Sequence, residues 1–126
     1  MSEPLKVLLV EDHELNRDML SRRLRKRGLT VVLAEDGEQA IAAAAEERPD
    51  VILMDMSLPR LDGWEATRRL RQSAATAAIP VIALTAHALG EEQARAMAAG
   101  CAAFETKPVD FARLLEVMAR LTGRTL

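Results

Sequence analysis

The sequence has one cysteine, Cys101, among its 126 residues, so no disulfide bond can form within the chain. No continuous run of apolar residues approaches the roughly 20 that a membrane-spanning helix needs. The first apolar run does not resemble a secretion signal, because Lys6 interrupts it and Glu11 ends it. A chain of this length can bury a core without disulfide bonds or structural metals. These absences favour one domain in the reducing environment of the cytoplasm.

Aromatic residues are also few, and the net charge is small. Tyrosine is absent, and one tryptophan and two phenylalanines leave few side chains that could stack on bases or on a flavin ring. The 17 basic and 19 acidic side chains give a formal net charge of -2. Because non-specific nucleic-acid binding needs a basic surface, we expect no DNA-binding function, and we expect no membrane association.

What the chain does have is an alternation of short apolar runs with longer segments of helical periodicity. We predict strands at Lys6–Val10, Thr30–Leu33, Val51–Met54 and Pro80–Leu84, with a weaker run near Ala103–Glu105. The continuous Val, Ile and Leu content of the first four runs suits strands buried on both faces of a parallel sheet. We predict helices at Glu14–Arg27, Gly37–Arg48, Trp64–Gln72, Glu91–Ala99 and Phe111–Leu121. Five strand–helix units indicate a doubly wound α/β sheet.

Residues at the predicted helix ends fit this assignment. Asp36 and Asp110 are suited to cap the second and fifth helices, because a carboxylate accepts hydrogen bonds from the free N–H groups of a first turn. Gly28 is suited to end the first helix. Within that helix, three apolar residues are expected on one side: Leu15, Met19 and Leu24.

Five basic residues lie close together between residues 22 and 27. The cluster falls at the C-terminal end of the first predicted helix, where the helix dipole favours cations. We therefore interpret it as a solvated helix face. Docking of an acidic protein partner is the alternative, and it is favoured over DNA binding because no DNA-reading helix is indicated.

Chemically active side chains follow four of the five predicted strands. In sheets of this class, ligands bind beyond the carboxyl ends of the strands. The residues at these ends are Glu11 and Asp12 after the first strand, Asp55 after the third, Thr85 after the fourth and Lys107 after the fifth. The second strand is followed by Ala34, which carries no reactive group. The sequence therefore predicts that three carboxylates, a hydroxyl and an ammonium group meet at one edge of the sheet.

Carboxylates brought together without compensation repel one another and raise one another's pKa values. Mg²⁺ relieves that repulsion, because it prefers oxygen ligands and is commonly held by one or two carboxylates plus a phosphate. Lys107 can neutralise a carboxylate or a phosphoryl oxygen, and Thr85 can donate a hydrogen bond to the same oxygen. The pattern indicates a site that forms and holds an acyl phosphate.

These residues lie within short motifs that together resemble the receiver domain of two-component response regulators. The motifs are Val-Glu-Asp at 10–12, Met-Asp-Met-Ser-Leu-Pro at 54–59, Asp-Gly at 62–63, Leu-Thr-Ala at 84–86 and Thr-Lys-Pro at 106–108. Each motif alone is a weak signal, but all of them in order at the ends of the predicted strands form a specific one. The resemblance extends from Lys6 to about Leu121. The segment at 11–16, Glu-Asp-His-Glu-Leu-Asn, is also similar to receivers of hybrid histidine kinases and to some stand-alone regulators.

The resemblance implies a flavodoxin-like doubly wound sheet of five parallel strands in the order 2-1-3-4-5, with five helices. It also implies that Asp55 is the phosphoacceptor. Mg²⁺ would be the cofactor, and its ligands would be the side chains of Glu11, Asp12 and Asp55 and the backbone carbonyl of Ser57.

The resemblance assigns roles to the remaining residues of this edge as well. Lys107 and Thr85 would each bind a phosphoryl oxygen, and Phe104 would be the aromatic switch residue that moves inward behind Thr85. The peptide bond between Lys107 and Pro108 would be cis, an arrangement that proline tolerates. Two residues would tune the lifetime of the phosphoryl group: Ser57 and His87.

Two positions depart from the commonest pattern of the family. Glu11 stands where aspartate is also frequent, so its carboxylate reaches further and is suited to binding metal through water. Phe104 stands where tyrosine or histidine is frequent, so a hydrogen bond from a polar tip of that residue is absent here.

The resemblance further implies a phosphorelay. A histidine kinase or a histidine phosphotransfer protein would supply the phosphoryl group, and a downstream protein target would recognise the phosphorylated form. The protein would be a switch that takes part in its own phosphorylation and dephosphorylation rather than an enzyme. We expect residues 1–126 to form a single receiver domain without an output domain. The alternatives are a receiver-like scaffold and a receiver excised from a hybrid histidine kinase.

Two other functions with related architecture fit the sequence less well. A flavodoxin-type binding protein needs a hydroxyl- or glycine-rich phosphate loop after the first strand, whereas this loop is Glu-Asp-His-Glu and repels phosphate. A phosphatase with an aspartyl nucleophile carries Asp-x-Asp on its first strand. Here Asp55 follows the third strand, with Met56 and Ser57 after it.

Overall fold

The computed structural model describes residues 3–58, 60–86 and 90–126. Within these residues, strands and helices alternate along the chain. The strands are β1 (Lys6–Val10), β2 (Thr30–Ala34), β3 (Val51–Asp55), β4 (Val81–Thr85) and β5 (Ala103–Thr106). The helices are α1 (Glu14–Lys26), α2 (Gly37–Glu47), α3 (Gly63–Gln72), α4 (Gly90–Ala99) and α5 (Phe111–Thr122). The predicted elements are therefore confirmed, with ends that shift by at most one residue.

The five strands form one parallel sheet in the order β2-β1-β3-β4-β5. The register pairs Leu9 of β1 with Leu33 of β2 and with Leu53 of β3, and Leu53 in turn with Ile82 of β4. This order and the five helices are those of a flavodoxin-like doubly wound sheet, so the prediction is confirmed. The order reverses between β1 and β3, which places the carboxyl ends of these two strands at the switch point where such sheets bind ligands.

The sheet separates two hydrophobic cores, one on each face, and its three central strands contribute residues to both. On one face Leu8, Ile52 and Ala83 pack with residues of α2, α3 and α4. On the other face Leu53 and Ile82 pack with residues of α1 and α5, including Leu24 and Leu114 in that core. Successive strand residues point to opposite faces, so both sets are buried and the apolar runs are continuous.

The edge strand β2 departs from the prediction that the first four strands are buried on both faces. Leu33 is 40% exposed, and Val31 and Val32 are only partly buried. An edge strand has a neighbouring strand on one side alone, so part of its surface stays in solvent.

The apolar residues of α1 also differ from their prediction. Leu24 is fully buried, whereas Leu15 and Met19 are 60% and 56% exposed. The expectation that the three share one side is wrong for a geometric reason. With 3.6 residues per turn, the separation of nine positions between Leu15 and Leu24 is two and a half turns, which places these two leucines on opposite sides of the helix.

The predicted helix caps are confirmed. Asp36 accepts a hydrogen bond from the Gln39 N–H, and Asp110 accepts one from the Arg113 N–H. Helix α1 is capped at its C-terminal end by Arg27, and Gly28 follows with a φ of 86°, the left-handed conformation that glycine adopts without strain.

The amino-terminal edge of the sheet holds the two ends of the described chain together. The Arg124 guanidinium donates a hydrogen bond to the Glu3 carbonyl and lies 3.9 Å from Asp50 Oδ2. The same Asp50 oxygen accepts a 2.8 Å hydrogen bond from the Lys6 backbone N–H. None of the helices in these residue ranges is both long enough and apolar enough to cross a membrane.

Candidate functional site

Three carboxylates converge at the carboxyl-terminal edge of the sheet, where the sequence predicted them. Glu11 directly follows β1, Asp12 is the next residue, and Asp55 ends β3. One carboxylate oxygen from each lies within 4.8 Å of those of the other two. Glu11 and Asp55 are buried, at 5% and 4% exposure, whereas Asp12 is open to solvent. Two of the three carboxylates are therefore buried and the third is exposed.

A backbone N–H group and a side-chain ammonium group both donate hydrogen bonds to the Asp55 carboxylate. Its Oδ1 accepts from the Ser57 backbone N–H at 3.0 Å, and its Oδ2 accepts from Lys107 Nζ at 2.9 Å. Behind it, helix α3 approaches so closely that a Cβ atom on Gly63 would lie 2.6 Å from the Asp55 carbonyl oxygen. Only glycine fits at the start of α3 without displacing the end of β3.

Lys107 supplies the positive charge of the site. Its Nζ lies 2.9 Å from Asp55 Oδ2 and 3.4 Å from Glu11 Oε1. Its backbone N–H donates a 2.7 Å hydrogen bond to the Thr85 carbonyl, which anchors the residue beyond the ends of β4 and β5. The Lys107–Pro108 peptide bond is cis. The ammonium group thus bridges the two buried carboxylates.

Three ionisable groups of the site have shifted pKa values: Glu11, Asp55 and Lys107. Burial, and then the contact with Asp55, raises the pKa of Glu11 from 4.5 to about 7, although Lys107 acts in the opposite direction. Burial alone would raise the pKa of Asp55, but hydrogen bonds from Glu11, from the Ser57 N–H and from Lys107 outweigh it and hold that pKa below its ordinary value. Burial would lower the pKa of Lys107, yet its bonds to Asp55 and Glu11 raise it. Near neutral pH, Asp55 is ionised while Glu11 is partly protonated.

The donor set fits a hard divalent cation. Glu11 Oε2 is buried and has no hydrogen-bond partner among the described residues. A buried carboxylate oxygen without a partner costs free energy, which either a proton or a bound cation removes. Mg²⁺ prefers carboxylate oxygens of this kind as ligands. It also keeps several of its water molecules when bound, and the solvent-exposed side of the cluster at Asp12 leaves room for them.

The remaining predicted residues lie around this cluster at different depths. Thr85 ends β4, is 4% exposed and pairs with Thr106 of β5 in the sheet register. Phe104 is half-buried on β5 and packs against the core on the α2, α3 and α4 side. The Ser57 side chain is exposed. His87 lies outside the described residues.

Arg17 contributes to the site and was not identified from the sequence. Its Nη1 donates hydrogen bonds to the backbone carbonyls of Glu11 and Asp12, at 3.0 and 3.4 Å. The side chain thereby ties α1 to the segment that carries two of the three carboxylates. The available signal was its position in the first turn of the helix that follows this segment.

Comparison with known proteins identifies close relatives over nearly the whole chain. Residues 7–119 match the family model of the response regulator receiver domain. The polar-differentiation response regulator DivK of Brucella anthropi is 36% identical over 120 residues, which cover 95% of this chain and 98% of DivK. DivK of Brucella ovis is 35% identical over 117 residues, which cover 93% of this chain and 95% of that protein.

Solved structures share the fold as well as the sequence. The receiver domain of the sensor histidine kinase PA1611 from Pseudomonas aeruginosa superposes with a TM-score of 0.89 at 39% identity, covering 95% of this chain and 98% of that one. That crystal structure has a magnesium ion coordinated in its active site cleft. The receiver domain of Ssk1 from Saccharomyces cerevisiae, solved in complex with the histidine phosphotransfer protein Ypd1, gives a TM-score of 0.87 at 28% identity, covering 98% of this chain and 92% of that one.

Proposed function

This chain belongs to the response regulator receiver domain family of two-component signalling, and we propose that it is a phosphorylation switch whose phosphoacceptor is Asp55. The observation that carries the proposal is the buried Asp55 carboxylate, held by Lys107 at 2.9 Å beside two further carboxylates. The proposed unit is a single receiver domain over residues 1–126, with a core from about residue 6 to about residue 121.

The proposed reaction is the transfer of a phosphoryl group from a phosphohistidine. An oxygen of the ionised Asp55 carboxylate forms a bond to phosphorus while the nitrogen–phosphorus bond of the donor breaks. The electron pair of that bond stays with the imidazole of the donor. The lowered pKa of Asp55 supports this role, because it keeps the carboxylate ionised and nucleophilic near neutral pH.

The cofactor we propose is Mg²⁺. The side chains of Glu11, Asp12 and Asp55 and the backbone carbonyl of Ser57 would hold it, as donors of the kind this cation prefers. When bound, Mg²⁺ supplies positive charge that offsets the charge of the carboxylates and of the incoming phosphoryl oxygens. The magnesium ion in the related PA1611 receiver supports the assignment.

Lys107 and Thr85 are proposed to detect the transferred group. A phosphoryl group brings about -1.5 to -2 of charge and strong acceptor oxygens. Lys107 and the Thr85 hydroxyl would bind those oxygens better than they bind the free carboxylate. Since a ligand shifts a conformational equilibrium only through such a difference, this preference would favour a second arrangement of the β4–α4 and β5–α5 units. Phe104, half-buried on β5, would carry the change to the surface.

The partners we propose are a phosphohistidine protein, either a histidine kinase or a histidine phosphotransfer protein, and a downstream protein target. The related Ssk1 receiver was solved in complex with the phosphotransfer protein Ypd1, which supports the first of these. Ser57 and His87 are proposed to tune how long the phosphoryl group persists. In this role the protein returns to its starting state after dephosphorylation and turns over no separate substrate.

The proposal is tested by phosphoryl transfer to the wild-type chain. Incubation with a panel of phosphorylated histidine phosphotransfer proteins and Mg²⁺ should add one phosphoryl group, which intact-mass spectrometry measures. A chelator should prevent the addition, and brief base treatment should remove the group because acyl phosphates are labile. If neither the panel nor a small acyl-phosphate donor adds a group, the protein is a receiver-like scaffold and the proposed function is wrong.

Mg²⁺ binding is expected to strengthen as the pH rises toward about 7, because Glu11 has to lose its proton to serve as a ligand. The affinity should change by close to tenfold per pH unit below that value. The same raised pKa should lower the free energy of unfolding of the metal-free protein as the pH rises from 4.5 to about 7, because only the protonated form is favoured by burial. Titrations followed by Trp64 fluorescence measure the first effect, and urea unfolding measures the second.

Glu11→Gln is the control for this pH dependence. The glutamine has no titrating proton, so the variant should bind Mg²⁺ more weakly and with a flatter pH profile. The same steep profile in both proteins would show that another group is responsible.

A further inference from the structure

The start of helix α2 contacts the β3–α3 loop, which we define as residues 56–62 and which the structure describes except at residue 59. Asp36 makes one of these contacts. Its carboxylate is 5% exposed and has two partners: Oδ1 accepts a 2.8 Å hydrogen bond from the Gln39 N–H, and Oδ2 lies 3.4 Å from Arg60 Nη1. A helix cap alone needs only the first of these partners and does not account for the second.

Arg60 adopts an unusual backbone conformation at this contact. Its φ is 63°, in the left-handed region that residues with a side chain rarely occupy. Such a conformation persists only where surrounding contacts hold it. The Arg60 side chain is 73% exposed, and its guanidinium group reaches back to the buried Asp36 carboxylate. The ion pair with Asp36 is a contact that can stabilise this conformation.

Gly37 makes the second contact between α2 and the loop. A Cβ atom at this position would lie 2.1 Å from the Leu61 carbonyl oxygen and 2.9 Å from the Leu61 carbonyl carbon. No side chain fits at that distance, so the loop backbone rests directly on the start of the helix. Two successive residues at the start of α2, the capping residue Asp36 and the first helical residue Gly37, therefore meet two successive residues of the loop, Arg60 and Leu61.

We propose that Asp36 and Gly37 are positioning residues for the cation site, acting through Arg60 and Leu61. The loop begins beside Asp55, and its second residue is Ser57, whose N–H donates to Asp55 Oδ1 and whose carbonyl is the proposed metal ligand. Fixing Arg60 and Leu61 limits how far the Ser57 carbonyl can turn away from Asp55. This inference rests on the proposed Mg²⁺ site for its effect on binding, but the contacts that carry it are independent of the metal.

The test uses the full chain with three substitutions that act on the two contacts. Asp36→Asn keeps a good capping residue but removes the charge that faces Arg60. Arg60→Ala removes the other partner of the same pair. Gly37→Ala forces the Leu61 carbonyl to move. Two properties are measured for each variant: Mg²⁺ affinity, from Trp64 fluorescence, and amide hydrogen exchange at Ser57 and Gly63 in the absence of metal.

These two amides report on the loop because their hydrogen bonds lie at its two ends. Ser57 donates to Asp55 Oδ1, and Gly63 donates to the Met56 carbonyl at 3.4 Å. We expect Asp36→Asn and Arg60→Ala each to speed exchange at both amides and to weaken Mg²⁺ binding by roughly threefold to tenfold. The double variant should be no worse than the more affected single one, because both remove the same pair. Gly37→Ala should have the largest effect on both properties.

Matched controls separate positioning from a general loss of stability. Asp110→Asn changes the cap of α5, and Gly90→Ala adds a methyl group where no atom lies within 4 Å. Both should leave loop exchange and Mg²⁺ affinity unchanged. Wild-type exchange at Ser57 and Gly63 in Asp36→Asn and in Arg60→Ala would overturn the inference. Absence of Mg²⁺ binding by the wild-type chain would contradict the proposed cofactor instead, and the exchange data would still decide the positioning role.

Discussion

Asp55→Asn should accept no phosphoryl group from any donor that phosphorylates the wild-type chain. The asparagine amide has nearly the same size, but it lacks the negative oxygen that would attack phosphorus. We expect incorporation to fall by at least about a hundredfold, to the limit of intact-mass detection, with donor and Mg²⁺ in excess. Because Asp55 helps to raise the pKa of Glu11, the variant should also show a lower Glu11 pKa.

Asp50→Asn provides the matched control for this substitution. Asp50 lies at the amino-terminal ends of the strands, away from the site, where it accepts a hydrogen bond from the Lys6 N–H. The control should be phosphorylated at the wild-type rate while losing some stability. If Asp55→Asn still gained a base-labile group, another carboxylate would be the acceptor, and peptide mapping would identify it.

Leu53→Ala should lower the free energy of unfolding by about 2 to 5 kcal/mol, because it removes a fully buried side chain at the centre of the sheet and leaves a cavity. Leu53 is 0% exposed and packs in the core that α1 and α5 cover. The register aligns it with Leu9, and Leu9 with Leu33 on the edge strand. Urea unfolding of the metal-free protein gives the comparison.

Leu33→Ala is the control for that loss, since it makes the same chemical change in the same row of the sheet. Leu33 is 40% exposed, so less surface leaves water when it folds. We expect a loss below about 1 kcal/mol. Equal losses at Leu33 and Leu53 would contradict the assignment of β2 to the edge and β3 to the interior.

Much of the fold was predictable because burial and periodicity agree in the central strands. The apolar runs that became β1, β3 and β4 are continuous for the simple reason that both of their faces are covered. The third and fourth predicted strands ended at Met54 and Leu84, one residue too early, because the polar residues Asp55 and Thr85 were taken to follow each run. In the structure, sheet pairing continues through both, as Asp55 pairs with Leu84 and Thr85 with Thr106. The residues that end the pattern are the ones that the sheet positions for the site.

The site was predictable in part for the same reason. In a parallel sheet, a residue at the end of one strand is near the residues that end its neighbours, so strand order alone brings Glu11 and Asp55 together. Lys107 follows β5, and its long side chain reaches across the end of β4 to Asp55. Contacts between loops carry no such periodic signal. The Asp36–Arg60 pair joins residues 24 positions apart, and Arg17 reaches backbone carbonyls that any sequence would offer. These contacts follow from loop geometry, which the sequence does not encode as a pattern.

The contact between Arg124 and Glu3 places the two described ends of the chain side by side, on the edge of the sheet opposite Asp55. The chain is therefore suited to circular permutation: a short linker could join these ends, and new ends could be opened in the exposed turn at Ala74 and Ala75. Such a permuted chain would keep every strand in place and would alter neither Glu11 nor Asp55. The same geometry means that a protein fused at either end would emerge away from the phosphoacceptor and would leave the approach of a donor open.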